Sequence, residues 1–162
     1  MVLTCTTQGC ISDDDPKGPA LSVGDRLPKF AVTLSNGEEV STTSLHGKVG
    51  VIVFFNTGCS DCREELPVIQ QLWEEYKDDG GVVIAPIARE ESRESIESYW
   101  RESNLSMPYS PQDTKDVYLL FAPSVIPRIY ISNPEGMITF TSDDSDMPGL
   151  SQLKEAIEAA RK

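Results

Sequence analysis

Hydrophobic positions along the chain predict alternating strands and helices. Residues 49–55 and 82–88 are nearly continuous apolar runs, rich in β-branched side chains, as in strands that are buried on both faces. Residues 63–79 between them show helical spacing of their large apolar side chains, at Leu66, Ile69, Trp73 and Tyr76. This order predicts a right-handed β-α-β unit with two parallel strands.

Shorter apolar stretches on either side of this unit flank turn sequences. Residues 29–34 and 38–42 surround Asn36-Gly37, a dipeptide typical of β-hairpins. Residues 128–132 and 137–141 surround the turn sequence Asn-Pro-Glu-Gly. Apolar periodicity predicts further helices, at residues 92–103, 114–121 and 150–160.

The N-terminal residues differ in composition from the rest of the chain. Residues 1–22 contain Gly, Pro, Asp and Ser without an apolar period, so we expect a flexible tether there. Residues 23–162 are long enough for one domain with a substantial core. A net charge of −12 argues against nucleic acid as a partner, because such binding requires clustered Lys and Arg.

Two cysteines stand where the first buried strand gives way to the helix. Cys59-Ser60-Asp61-Cys62 places one thiol at the positive end of the helix dipole, which favours the nucleophilic thiolate. The second thiol follows one turn later, within reach to close a disulfide and expel a bound substrate. By position, Cys59 is the nucleophile and Cys62 the resolving thiol.

The order of elements and motifs resembles the thioredoxin fold, and more narrowly the TlpA/ResA group of thiol–disulfide oxidoreductases from the bacterial cell envelope. The resemblance covers about residues 23–160 and rests on the following segments: Val23-Gly24-Asp25, Leu27-Pro28, Phe30, Asn36-Gly37, Leu45-His46-Gly47-Lys48, Phe54-Phe55-Asn56, residues 59–67, Ile126-Pro127 and Asn133-Pro134-Glu135-Gly136. It implies an α/β protein in which helices flank a central mixed sheet, with an N-terminal β-hairpin and an inserted helix.

The resemblance also implies roles for residues around the thiols. Glu65, three residues after Cys62 on the same helix face, matches a buried carboxylate that handles protons. The alternative is a solvated helix glutamate. Pro127 matches a cis-proline that presents the backbone of Ile126 to a substrate strand, with a trans-proline opening an edge strand as the alternative. We expect a substrate-binding surface around these groups, formed by Gly58, Ser60, Asp61, Ile126, Pro127 and Arg128.

Three positions depart from the family pattern. Gly58 stands where Trp is usual, Ser60-Asp61 where a proline is common, and Arg128 where Thr often follows the cis-proline. The carboxylate of Asp61 disfavours a second negative charge nearby, whereas strong oxidants need a strongly stabilised thiolate. We therefore favour a disulfide reductase or isomerase over an oxidase, with no metal or organic cofactor. Its partners would be protein thiols and disulfides, and a membrane electron-donor thiol protein would supply electrons.

Gly9-Cys10 and the acidic residues after it resemble the processing site of a lipoprotein leader, as in surface lipoproteins of Bacteroidetes-type bacteria. This implies lipidation at Cys10, with Cys5 as the weaker candidate, and a periplasm-facing or outer-surface location. The alternatives are a polar leader and a small Cys5–Cys10 disulfide.

Other functions remain open at the level of sequence. A thiol peroxidase on the same fold would place Pro and Thr shortly before its reactive cysteine, and residues 51–58 contain no proline. A zinc site would need Cys5 and Cys10 to fold onto Cys59 and Cys62. A non-catalytic envelope binding domain would use the Cys59–Cys62 disulfide only as a structural crosslink.

Overall fold

A mixed sheet of four strands forms the centre of the computed structural model, which describes residues 18–162. The strands and helices, in chain order, are β1 (Ala31–Thr33), β2 (Glu39–Ser41), β3 (Val49–Phe55), α1 (Ser60–Tyr76), β4 (Val82–Ala88), α2 (Arg93–Glu102), α3 (Asp116–Leu119), β5 (Arg128–Ser132), β6 (Ile138–Ser142) and α4 (Leu150–Ala160). The order across the sheet is β4-β3-β5-β6.

Strand β3 lies in the interior of this sheet and explains its mixed character. It pairs in parallel with β4 over its whole length, from Val49 opposite Val82 to Phe55 opposite Ala88. On its other side it pairs antiparallel with β5, which in turn pairs antiparallel with β6. All seven residues of β3 are buried, as the continuous apolar run predicts. The predicted central mixed sheet is confirmed.

The side chains of β3 alternate between two hydrophobic clusters, one on each face of the sheet, because successive strand residues point to opposite faces. Val51, Val53 and Phe55 pack in the cluster that contains residues of α1, α2 and α4. Ile52 and Phe54 pack in the cluster that contains residues of the hairpin and α3. Helices or loops therefore cover both faces of the sheet.

The N-terminal hairpin forms a separate two-stranded sheet. Strands β1 and β2 pair antiparallel, with Val32 opposite Val40. Gly37 adopts a φ of +89°, which glycine tolerates without steric cost and which the predicted Asn-Gly turn requires. Both strands are shorter than predicted, although hydrogen bonds from the Leu34 N–H to the Glu38 carbonyl and from the Thr42 N–H to the Phe30 carbonyl continue the pairing at either end.

Most element boundaries lie within a few residues of those predicted, and two of the differences have a clear physical cause. Helix α1 begins at Ser60 rather than residue 63, because Cys59 takes the N-cap position. The packed part of the chain begins before residue 23: Ala20 and Leu21 contact the hairpin-side cluster, and the Leu21 N–H donates to the carbonyl of Phe121 at 2.8 Å. The rest of the predicted tether, including Cys5 and Cys10, lies outside the described residues.

Among residues 18–162, no helix has the length and apolar character needed to cross a membrane.

Candidate functional site

The two thiols lie at the N-terminus of α1, at the carboxyl end of β3. Cys59 is the N-cap of this helix, with extended backbone angles (φ −90°, ψ 125°). Its Sγ accepts a hydrogen bond from the backbone N–H of Cys62 at 3.4 Å. Sulfur thus takes the place that a Ser or Asp oxygen usually occupies at a helix N-terminus. A thiolate at this position is stabilised by the positive end of the helix dipole.

Cys62 is the inaccessible member of the pair. It is fully buried, whereas Cys59 is partly exposed, and both are free thiols. Burial raises the pKa of Cys62 well above its ordinary value; the nearby Cys59 and Asp61 act in the same direction, against a hydrogen bond with the Asn56 backbone. The pair is therefore asymmetric, because only the thiol of Cys59 can be reached from solvent.

The loop before β5 faces Cys59. The Ile126–Pro127 peptide bond is cis. The Sγ of Cys59 lies 3.7 Å from the carbonyl oxygen of Ile126, which accepts the thiol hydrogen. Pro127 itself is buried, and Ile126 is partly exposed. The tertiary fold thus brings the predicted docking backbone, 67 residues away in sequence, next to the predicted nucleophile.

Glu65 is a buried carboxylate on the same helix. Glu65 is only 4% exposed, and within residues 18–162 its Oε1 has no hydrogen-bond partner. Burial raises its pKa from 4.5 to about 7. This environment differs from that of a solvated helix glutamate, and Glu64 beside it is exposed. A carboxyl group with a pKa near 7 exchanges protons readily at neutral pH.

The remaining predicted site residues lie on the two segments that contain Cys59 and Pro127. Gly58 and Ser60 are exposed, and Asp61 is partly exposed in the first turn of α1. The Nε of Arg128 donates to the carbonyl of Ser124 at 3.0 Å, so this side chain braces the loop before the cis-proline.

Sequence reasoning missed the residues that hold the loop between β3 and α1. The carboxylate of Glu91 accepts hydrogen bonds from the backbone N–H and the hydroxyl of Thr57. The Nε of Arg63 donates to the carbonyl of Thr57. Neither contact follows from spacing, because Glu91 lies 34 residues from Thr57 and comes close to it only in the folded sheet.

Comparisons with known proteins identify the family of this chain. Residues 23–141 match the model of the AhpC/TSA family. The thiol-disulfide oxidoreductase ResA of Bacillus subtilis is 24% identical over 119 residues, which cover 74% of this chain and 66% of that protein. The chain thus spans about two thirds of the length of this curated relative.

Two solved structures share the fold. A thiol:disulfide interchange protein of the thioredoxin family from Chlorobium tepidum has a TM-score of 0.71 at 20% identity, covering 87% of this chain and 99% of that one. The thioredoxin domain of a thiol-disulfide oxidoreductase from Bacteroides vulgatus has a TM-score of 0.69 at 23% identity, covering 85% and 99%. With its thiols at the helix N-terminus and its sequence match over most of the fold, the chain belongs to the AhpC/TSA family, among the thioredoxin-like thiol–disulfide oxidoreductases.

Proposed function

We propose that this protein reduces or isomerises disulfides in protein substrates, with Cys59 as the nucleophile and Cys62 as the resolving thiol. The main support is the asymmetry of the pair: Cys59 is accessible at the end of the helix, and Cys62 is buried with a raised pKa. An accessible nucleophile beside a protonated reserve thiol is the arrangement that stepwise thiol exchange requires.

In the first step, the thiolate of Cys59 attacks one sulfur of the substrate disulfide. A mixed disulfide forms between Cys59 and the substrate, and the other substrate sulfur leaves as a thiolate. In the second step, Cys62 loses its proton and attacks the Sγ of Cys59. The Cys59–Cys62 disulfide forms, the substrate leaves with both cysteines reduced, and two electrons have passed to it.

Glu65 is the proposed acceptor of the Cys62 proton. It lies one helical turn beyond Cys62, at the three-residue spacing that places side chains on one helix face. Its buried carboxyl group, with a pKa of about 7, is ionised in part of the molecules at neutral pH and can take a proton in the second step.

The proposal that the protein reduces substrate disulfides, rather than forming them, rests on the environment of the thiols. Burial raises the pKa of Cys62, and Asp61 in the first turn of α1 acts in the same direction. Both effects favour the neutral thiol over the thiolate, whereas a strong oxidant needs a stabilised thiolate in its reduced form. The electrons would come from a membrane-held thiol protein.

Substrate docking is proposed along the backbone of Ile126, with Gly58, Ser60, Asp61, Pro127 and Arg128 around it. An extended substrate segment would pair with this backbone as an added strand. The location would be the cell envelope, periplasm-facing or on the outer surface, with a lipid on Cys10 as the anchor. Intact mass of protein purified from membranes tests the anchor, and a mass without an acyl addition would contradict it.

The reduction potential of the Cys59–Cys62 pair tests the proposed direction. The ratio of alkylated to disulfide protein, measured by mass spectrometry across thiol buffers, should give a value near about −270 mV, as in thioredoxin. A value near about −120 mV would make the protein an oxidant. A protein that consumes peroxide but reduces no protein disulfide would be a thiol peroxidase, and an inert, very reducing disulfide would indicate a structural crosslink.

A further inference from the structure

Thr57, two residues before the proposed nucleophile, has its polar groups bound by side chains from other parts of the chain. It is 5% exposed, in the loop that joins β3 to α1. Its backbone N–H donates to Glu91 Oε1 at 2.8 Å, and its hydroxyl donates to Glu91 Oε2. Its carbonyl accepts from the Nε of Arg63. The side chains of Glu91 and Arg63 therefore fix the position of Thr57 together.

Glu91 is a buried carboxylate held by hydrogen-bond donors. It is 8% exposed, and its Oε2 also accepts from the hydroxyl of Ser95 at 2.7 Å. Within residues 18–162, no Lys or Arg side chain forms an ion pair with it. A buried carboxylate is costly unless its oxygens are hydrogen-bonded. Glu91 therefore holds a defined geometry, and the backbone it holds leads directly to Cys59.

A second contact joins the same two loops. The amide nitrogen of Asn56 donates to the carbonyl of Arg89 at 3.2 Å, and its Oδ1 accepts from the N–H of Gly58 at 2.8 Å. The loop after β4 thus contacts the loop after β3 at both Asn56 and Thr57. Gly58 has no side chain to restrict the backbone, so the restriction comes from these neighbours.

We propose that Glu91 is a positioning residue, which holds the Thr57 backbone so that the Sγ of Cys59 stays at the N-terminus of α1. This role rests on the proposed thiol chemistry of Cys59 and deepens it. When the Thr57 anchor is lost, the loop gains freedom and Cys59 leaves its N-cap geometry part of the time. The thiolate then loses stabilisation by the helix N-terminus and becomes less reactive.

Two substitutions of Glu91 separate geometry from charge. Glu91→Gln removes the charge but keeps an oxygen that accepts from the Thr57 N–H. Glu91→Ala removes the charge and also the oxygen that accepts from the Thr57 N–H. Loss of a nearby negative charge favours the Cys59 thiolate, whereas loss of the anchor disfavours it. Asp61, Cys62 and Glu65 on α1 and Arg128 at the start of β5 are the same in both variants, so any difference between them comes from Glu91.

The test is the pH dependence of iodoacetamide alkylation at Cys59 in the reduced, folded protein, followed by mass spectrometry of the modified peptide. We expect Glu91→Ala to lower the alkylation rate at pH 7 about fivefold and to move the profile to higher pH. Glu91→Gln should keep the wild-type rate or exceed it. Glu94→Ala, an exposed glutamate on the neighbouring helix, is the matched control and should leave the profile unchanged.

Two results with the Glu91 variants would overturn the proposal. If Glu91→Ala and Glu91→Gln both move the profile to lower pH, Glu91 acts through its charge alone. If Glu91→Ala lowers stability but leaves the profile unchanged, it is a structural residue only. Should Glu91→Ala fail to fold, Thr57→Val removes the hydroxyl contact with little change of shape and should lower the rate in the same direction; an unchanged rate there would also overturn it. Alkylation needs no substrate disulfide, so a failure of the proposed reductase function would not be mistaken for a failure here.

Discussion

The thiol of Cys59 caps the helix that contains Cys62, with the Cys62 N–H donating to Cys59 Sγ at 3.4 Å. One hydrogen bond therefore joins the proposed nucleophile to the backbone of its resolving partner. As negative charge develops on the Cys59 sulfur, this donor and the helix dipole both stabilise it. The Cys62 sulfur is buried in the apolar cluster below, and this burial outweighs its hydrogen bond with the Asn56 backbone and raises its pKa.

Selective alkylation should reveal the difference between the thiols. In the reduced, folded protein at pH 7 to 8, iodoacetamide should modify Cys59 and leave Cys62 unmodified, because Cys62 is buried and its pKa is raised. Peptide mass spectrometry measures both sites. In urea, both cysteines should react, and comparable modification of Cys62 in the folded protein would contradict the assignment.

Single serine variants should separate the two steps of exchange. Cys62→Ser should form a stable mixed disulfide with a model protein substrate, because the attack that releases the substrate is lost. Cys59→Ser should form almost none, since Cys62 is buried. Non-reducing gels and intact mass detect the adduct. A comparable adduct with Cys59→Ser would reverse the assigned roles.

The buried carboxyl group of Glu65 should make stability depend on pH. The pKa of Glu65 is about 7 in the folded protein, against an ordinary value of 4.5. Below pH 4.5 the carboxyl group is protonated in both the folded and the unfolded chain, so it adds no pH dependence to the free energy of unfolding. Between these values the unfolded chain releases the proton and the folded chain keeps it. The free energy of unfolding therefore falls as pH rises, by up to about 3 kcal/mol in total, and the loss is constant above pH 7.

Urea denaturation of the reduced protein between pH 4.5 and 8 measures this effect. Glu65→Gln should remove most of the decrease, whatever its effect on absolute stability, because glutamine does not titrate. Glu64→Gln, the exposed neighbour, should keep it. Equal pH slopes for wild type and Glu65→Gln would show that Glu65 ionises normally in the folded protein.

The same carboxyl group should shape the rate of disulfide exchange. We expect Glu65→Gln to slow reduction of a model protein disulfide about tenfold at pH 7, at the low end of typical general-base effects, and to remove the inflection near that pH. Glu64→Gln serves again as the control. Wild-type rates with an unchanged pH profile in Glu65→Gln would rule out a role for Glu65 in proton transfer.

Much of the fold was predictable because its signals are local. The continuous apolar runs of β3 and β4 and the apolar spacing of α1 identify a parallel β-α-β unit without tertiary information. The Asn-Gly turn identified the hairpin for the same reason. Element boundaries were less certain: α1 begins three residues earlier than its apolar pattern, because a cysteine can cap a helix without contributing to that pattern.

The sequence by itself determined the chemistry available to this protein: two thiols one helical turn apart at a strand end, and an X-Pro segment suited to a substrate strand. The tertiary structure alone decided which groups meet them. It placed the Ile126 carbonyl 3.7 Å from Cys59, buried Glu65, and held Thr57 with Glu91. The reason is physical: thiol reactivity depends on burial and on neighbours that are distant in sequence, and these are set only when the strands pair and the helices pack.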